Sequence, residues 1–139
     1  MKLPIFDIAV ENEDYREVIT TGVDSQLVVM SIPPGEDIGD EMYTDVDQIT
    51  VVVRGKARYS ISGGDAGELE EEDLLFVPAG KDHEVVNVGD DELKLFTIYA
   101  PPEHEPGTVQ ETKESALEDD GMVPMDEEDL YGDELEDEY

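Results

Sequence analysis

Four side chains of unlike chemistry, a carboxylate, a phenol, an amide and an imidazole, stand in two short stretches of this chain. Glu41, Tyr43 and Gln48 lie between Gly35 and Gly55, and His83 lies between Pro78 and Asn87. Imidazole and carboxylate suit borderline divalent metals, whereas a neutral amide and a phenol that normally titrates near pH ~10 are poor donors. If both stretches are extended, residues two apart face the same side. Glu41 then shares a side with Tyr43, Gln48 with Thr50, Val52 and Arg54, and His83 with Val85 and Asn87. Such a wall is half apolar and half polar, the composition of a small-molecule pocket.

Each of these residues also has a plainer use. The ring of His83 can bond a neighbouring carboxylate or backbone group, and Gln48 can satisfy backbone groups. Glu41, if it faces an interior, needs a cation, a proton or a partner such as Arg54 or Arg58 to offset its burial. Tyr43 can be a packed aromatic with a bonded hydroxyl. His104, in the run Pro102 to Pro106, reads as a solvated loop residue unless that segment covers the mouth of the domain.

The elements that must position these groups are short strands. Glu17 to Thr21 stops at Gly22, and Gln26 to Ile32 stops at Pro33, Pro34 and Gly35, residues that cannot continue a ladder. Gln48 to Arg54 is dominated by β-branched residues. Lys56 to Ser62 alternates, with Ala57, Tyr59 and Ile61 on one face and Lys56, Arg58, Ser60 and Ser62 on the other. The run Gly63 to Gly67 is a turn signal that makes these flanks a hairpin arm. Leu74 to Val77, His83 to Val88 and Glu92 to Ala100 complete the series, and no amphipathic helix is evident. About seven short strands at this spacing predict an all-β sandwich or small barrel.

The spacing of the two stretches resembles the two motifs of the cupin superfamily. In the first, five residues separate Gly35 from Glu41, four separate Tyr43 from Gln48 and six separate Gln48 from Gly55. The family places His, His and Glu where Glu41, Tyr43 and Gln48 stand. The second motif, Pro-X-Gly-X-X-His-X-X-X-Asn, is matched by Pro78, Gly80, His83 and Asn87, while a usual glycine six residues before the proline is Glu72 here. The resemblance covers roughly residues 5 to 108 and implies the cupin double-stranded β-helix, a jelly-roll barrel. It further implies a ligand pocket formed by Glu41, Tyr43, Gln48, His83, Asn87 and Arg54. Three histidines and a glutamate hold a divalent transition metal (Mn, Fe, Ni or Zn) in a fully furnished cupin. Here Glu41, Gln48 and His83 are the matching set, and Tyr43 is the departure that degrades it.

Composition divides the chain in two. Residues 1 to 108 form the barrel domain, and residues 109 to 139 an acidic tail expected to be disordered, with many like charges and Gly121 and Gly132 as breaks. A short helix at Lys113 to Glu118 is too short to be stable by itself. The formal charge is -31, from 39 acidic and 8 basic residues. Residues 1 to 102 already carry 23 acidic against 7 basic side chains, so the acidity is not confined to the tail. Nucleic acid and anionic membrane surfaces share this sign and are excluded as partners by long-range repulsion. Molar salt shortens the Debye length to about 3 Å and relieves the self-repulsion, which reads as the surface of a halophile's cytoplasmic protein; an acidic mesophilic protein with a solvated tail is the alternative. With no cysteine, neither disulfides nor thiolate ligands are available. No apolar run approaches the ~18 residues of a membrane span, and the first residues do not read as a signal peptide.

Three functions follow as expectations. The first is a barrel that binds a small ligand or acts as a noncatalytic scaffold. The second is a metal-dependent enzyme on small polar substrates, of the sugar-phosphate isomerase, epimerase or dioxygenase type that the resemblance admits. The third is an interaction protein that docks a basic partner through Leu130, Tyr131, Leu135 and Tyr139 of its tail. A homodimer is expected by analogy with jelly rolls of this size.

Overall fold

The computed structural model describes residues 1–38 and 45–119. Glu41, Tyr43 and the acidic tail from residue 120 lie outside the described residues. The elements run α1 (Ile5–Glu11), β1 (Arg16–Thr21), β2 (Gln26–Ile32), β3 (Asp47–Arg54), β4 (Ala57–Ile61), β5 (Asp65–Leu69), β6 (Leu74–Val77), β7 (His83–Asn87), β8 (Leu93–Ala100), β9 (Val109–Gln110) and α2 (Lys113–Asp119). A six-stranded sheet has the order β6-β3-β8-β2-β1-β9, and a three-stranded sheet the order β5-β4-β7. All named pairings are antiparallel.

The two sheets share one interior. Val28, Met30, Ile32, Val52, Leu93 and Leu95 come from the large sheet, and Ala57, Ile61, Leu69 and Val85 from the small one. Strict alternation places them there, since each strand sends every second side chain to the same face. In β4, Ala57 and Ile61 are buried while Arg58 and Ser60 are exposed. The β4–β5 hairpin forms as predicted, but Asp65, Ala66 and Gly67 belong to β5 rather than to the turn. At the start of β4, Gly55 adopts φ +103 with its α-carbon pressed toward Leu93, whose Cα would lie 3.3 Å from an added Cβ. Only glycine fits that corner without strain.

Two helices complete the fold, one of which the sequence does not announce. Helix α1 presents Ile5, Ile8 and Ala9, at the i, i+3, i+4 spacing of one helical face, to Val29, Val53 and Phe96 on the outer face of the large sheet. Phe6 meets Phe96 edge to face at 5.9 Å. Its end is held where Lys94 Nζ donates to the Asn12 carbonyl. Seven residues are two turns, too few for a helical period to stand out in the sequence.

Regular elements continue past residue 108. Residues 109–110 form β9, which pairs with the edge of β1, and Ala116 of α2 is buried against the interior cluster. Helix α2 is tied down by an ion pair between Lys113 and Asp37, so tertiary contacts stabilise a segment too short to stand alone. The Asp37 carboxyl is partly desolvated by burial, but the bond from Lys113 and other hydrogen bonds outweigh this and hold its pKa below the usual value.

Candidate functional site

Side chains opposite each other in a ladder point to the same face, so the pairing register fixes what lines the interior. Gln48 of β3, Tyr99 of β8 and Gln26 of β2 form one row across three strands. Thr50 and Thr97 form the next, their hydroxyls 2.8 Å apart, followed by Val52, Leu95 and Met30. All of these side chains are buried. Along these three strands the interior runs from amides and a phenol through two hydroxyls to the hydrocarbon of Val52, Leu95 and Met30, and buried Arg16 of β1 stands opposite Met30.

Strand β7 is oriented by its far end. Asn87 Nδ2 donates to the carbonyls of Ile32 (2.8 Å) and Asp91 (2.9 Å), and its Oδ1 accepts from the Gly89 amide at 2.8 Å. Ile32 lies at the hydrocarbon end of β2, paired with Leu93. His83, four residues back along β7 and hence about 13 Å away, belongs to the polar end. The connection agrees: Val77 pairs with Gln48, the Ala79 amide donates to Asp47 Oδ1 at 2.9 Å, and a turn from Pro78 to Lys81 delivers the chain to His83. His83 is 4% exposed.

Gln48 and His83 come to the same end of the barrel. Asn87 is buried on the same face of β7 as His83, and its amide fastens β7 to β2 and to the turn before β8. Arg54 is not in the pocket. The register of β3 against β8 slips between Val52 and Arg54, Val53 packs on the outer face, and Arg54 is exposed. A bulge of this kind breaks the two-residue alternation on which the expectation rested. Glu41 and Tyr43 lie outside the described residues.

The structure adds residues that the motifs do not mention. Gln26, 2% exposed, turns its amide on the segment after β8: Nε2 donates to the His104 carbonyl at 2.7 Å, and Oε1 accepts from the amides of His104 (2.9 Å) and Glu103 (3.2 Å). His104 is held over the polar row, its ring edge-on to Tyr99 with centroids 5.0 Å apart. It is therefore a covering residue rather than a solvated one. Burial, reinforced by the positive charge of Arg16, pushes its pKa down to about 3. Arg16 is itself buried, donates to Gln110 Oε1 at 2.8 Å and lies over the Tyr15 ring. Period-two alternation alone marks Thr97 and Tyr99 as facing with Leu93 and Leu95, whereas nothing local in the sequence identifies Gln26 as the anchor of a segment 77 residues away.

The resemblance of the two motifs implies a divalent metal. Among the described residues, no three His, Cys, Asp or Glu side chains come together to hold one. Gln48 and His83 offer an amide oxygen and an imidazole, a pair that does not by itself fit a transition ion.

With this geometry in view, comparison with known proteins is decisive. The cupin domain model matches residues 28–99. The chain is a cupin. It is 38% identical over 113 residues to YrkC, an uncharacterized protein of Bacillus subtilis, a match covering 77% of this chain and 60% of YrkC. It is 39% identical over 103 residues to an uncharacterized protein of Acanthamoeba polyphaga mimivirus, covering 71% of this chain and 64% of that one. The cupin thus spans less than two thirds of the length of either relative. The crystal structure of BH2720 from Bacillus halodurans superposes with a TM-score of 0.83 at 36% identity, covering 85% of this chain and 93% of that one. No helix among the described residues is long and apolar enough to cross a membrane.

Proposed function

We propose that this cupin binds a small polar molecule in its barrel, without chemistry of its own. The observation that carries the reading is the cluster of polar side chains in the interior, in which Gln48, Tyr99, Thr50 and Thr97 are buried in adjoining rows of the large sheet. Polar side chains buried in a barrel gain little for folding over apolar ones of the same shape, so their concentration there favours recognition over packing.

A panel of small polyols, sugars and organic acids tests it, with the heat-unfolding midpoint and methyl NMR shifts as readouts. The expected result is saturable binding that moves Val28 and Val52 resonances and is weakened in Thr50→Val/Thr97→Val. Shifts confined to the surface sink the reading. Elemental analysis of the full chain after exchange with Mn, Fe, Ni and Zn tests the enzyme alternative, and a stoichiometric ion lost in His83→Ala would replace the present proposal.

Pairing of two copies belongs to the same proposal. Leu74 and Phe76 are exposed on β6, the open edge of the large sheet, and support a second copy as occupant. Light scattering in molar salt is expected to give a dimer that Phe76→Asp dissociates; a wild-type monomer ends the idea.

A further inference from the structure

Residues 101–108 join β8 to β9 and cross the end of the barrel as a strap. Its two ends are fixed in the large sheet, where Ala100 pairs with Asp47 and Val109 with Glu17. Midway, Gln26 of β2 takes hold of it, donating to the His104 carbonyl and accepting from the amides of Glu103 and His104. Near β9 the Thr108 carbonyl accepts from the Val18 amide at 2.8 Å. Pro101, Pro102 and Pro106 interrupt regular structure along the strap, and Gly107 turns it at φ +77. A segment tied at its centre by a side chain rather than by a ladder can lift without unpairing a strand.

The tie has a weak point. His104 Nε2 is buried without a hydrogen-bond partner among the described residues, and the ring stands edge-on to Tyr99. Neutral imidazole bears this at the cost of one unmade bond. Imidazolium carries an N–H on both nitrogens and a charge to solvate, so a proton added to the closed strap finds neither an acceptor at Nε2 nor water. Lifting the strap supplies water.

We propose that residues 101–108 are an acid-released strap, held over the row of Gln26, Tyr99 and Gln48 by the Gln26 amide and lifted when His104 takes up a proton. Closure then works against protonation, in keeping with a pKa held down to about 3, burial being the larger cause and Arg16 of β1 the lesser. The other titratable or charged groups toward the ring are Tyr99 of β8, His83 of β7 at the end of the barrel that holds Gln48, and Glu103 and Glu105 on the strap itself, both exposed. Gln26, which grips the strap, is neutral. Acidity thereby sets access to the interior, whatever the barrel holds.

Amide hydrogen exchange of the full chain at constant high salt tests it, read residue by residue by NMR. With a pKa of 6.5 when lifted and about 3 when closed, the lifting equilibrium rises about thirtyfold between pH ~7.5 and pH ~5. The expected result is that protection of the Glu103 and His104 amides falls by that factor once the intrinsic pH dependence of exchange is removed, while the amides of β2 and β8 keep theirs. His104→Asn, which leaves the main-chain bonds to Gln26 in place, reduces the fall to less than about twofold. Gln26→Met removes the three bonds and keeps the bulk, and is expected to lower protection of the same amides at both pH values. Circular dichroism checks the fold of each variant, and if Gln26→Met does not fold, the comparison with His104→Asn still decides. A fall of equal size in His104→Asn assigns the proton to His83 or a carboxylate and overturns the role of His104. A fall shared by β2 and β8 means that the barrel opens as a whole and overturns the strap. Protection that does not change with pH in the wild type overturns the release, and protection unaltered in Gln26→Met overturns the latch.

Discussion

Glu72 shows how a single position links family pattern to backbone energetics. It stands where the second motif usually has glycine, and it adopts φ +77, the left-handed region. A side chain there costs about 1 kcal/mol, partly regained because glycine would loosen the unfolded chain. Glu72→Gly is therefore expected to stabilise by roughly 0.5 kcal/mol, helped by removing one charge from the acidic run Glu70 to Asp73; a lower unfolding midpoint would show that the backbone is not strained. His104 makes a different prediction. Its folded pKa is about 3 against 6.5 ordinarily, so between these values the unfolded chain holds a proton that the folded chain does not. Stability from this group is complete above 6.5 and is lost as pH falls toward 3. Relative to His104→Asn, the wild type should lose about 1–2 kcal/mol by pH ~5 in urea unfolding, and a difference independent of pH refutes it. The comparison of variants cancels the carboxylates, whose protonation acts on both proteins alike. At this scale the sequence was legible where motif and strand coincide, so that Gln48 and His83 are buried as alternation expects. It was not at Arg54, which is exposed, because a bulge is invisible to a two-residue period.

The strands were legible as elements because β-branched runs end at glycine and proline: β2 at Pro33 and Pro34, β3 at Gly55, β8 at Pro101. Helix α1 was not, since Ile5 to Glu11 is too short to show a period and its reason for being lies on another element. The outer face of the large sheet carries Val29, Val53 and Phe96, which strand alternation places outside yet leaves apolar, and α1 is what covers them. Ala9, fully buried there, tests the dependence. Ala9→Glu places an unpaired carboxylate against the sheet and should cost about 2–4 kcal/mol in denaturant unfolding, whereas an exposed control such as Asp7→Ala changes it by less than about 0.5 kcal/mol. An equal effect of the two would mean that α1 does not dock. Segment 109–119 is mostly polar in composition, and one buried residue from each part, Gln110 and Ala116, suffices to place it.

For the whole molecule, charge is the dominant fact. A formal charge of -31 on 139 residues opposes compaction in dilute buffer. Raising sodium chloride from ~0.1 to ~1 M shortens the Debye length from about 10 to about 3 Å and should raise the unfolding midpoint by on the order of 5–10 °C. Sucrose of equal osmolality separates screening from exclusion; an equal rise in both would remove the electrostatic account and the expectation of a salt-adapted surface with it.

The bonds between Gln26 and residues 103–104 have a practical consequence. Because the amide grips peptide groups, any residue at position 104 other than proline, which lacks the N–H, keeps these bonds available. A combinatorial library at that position therefore varies the side chain over Tyr99 while leaving the fastening in place.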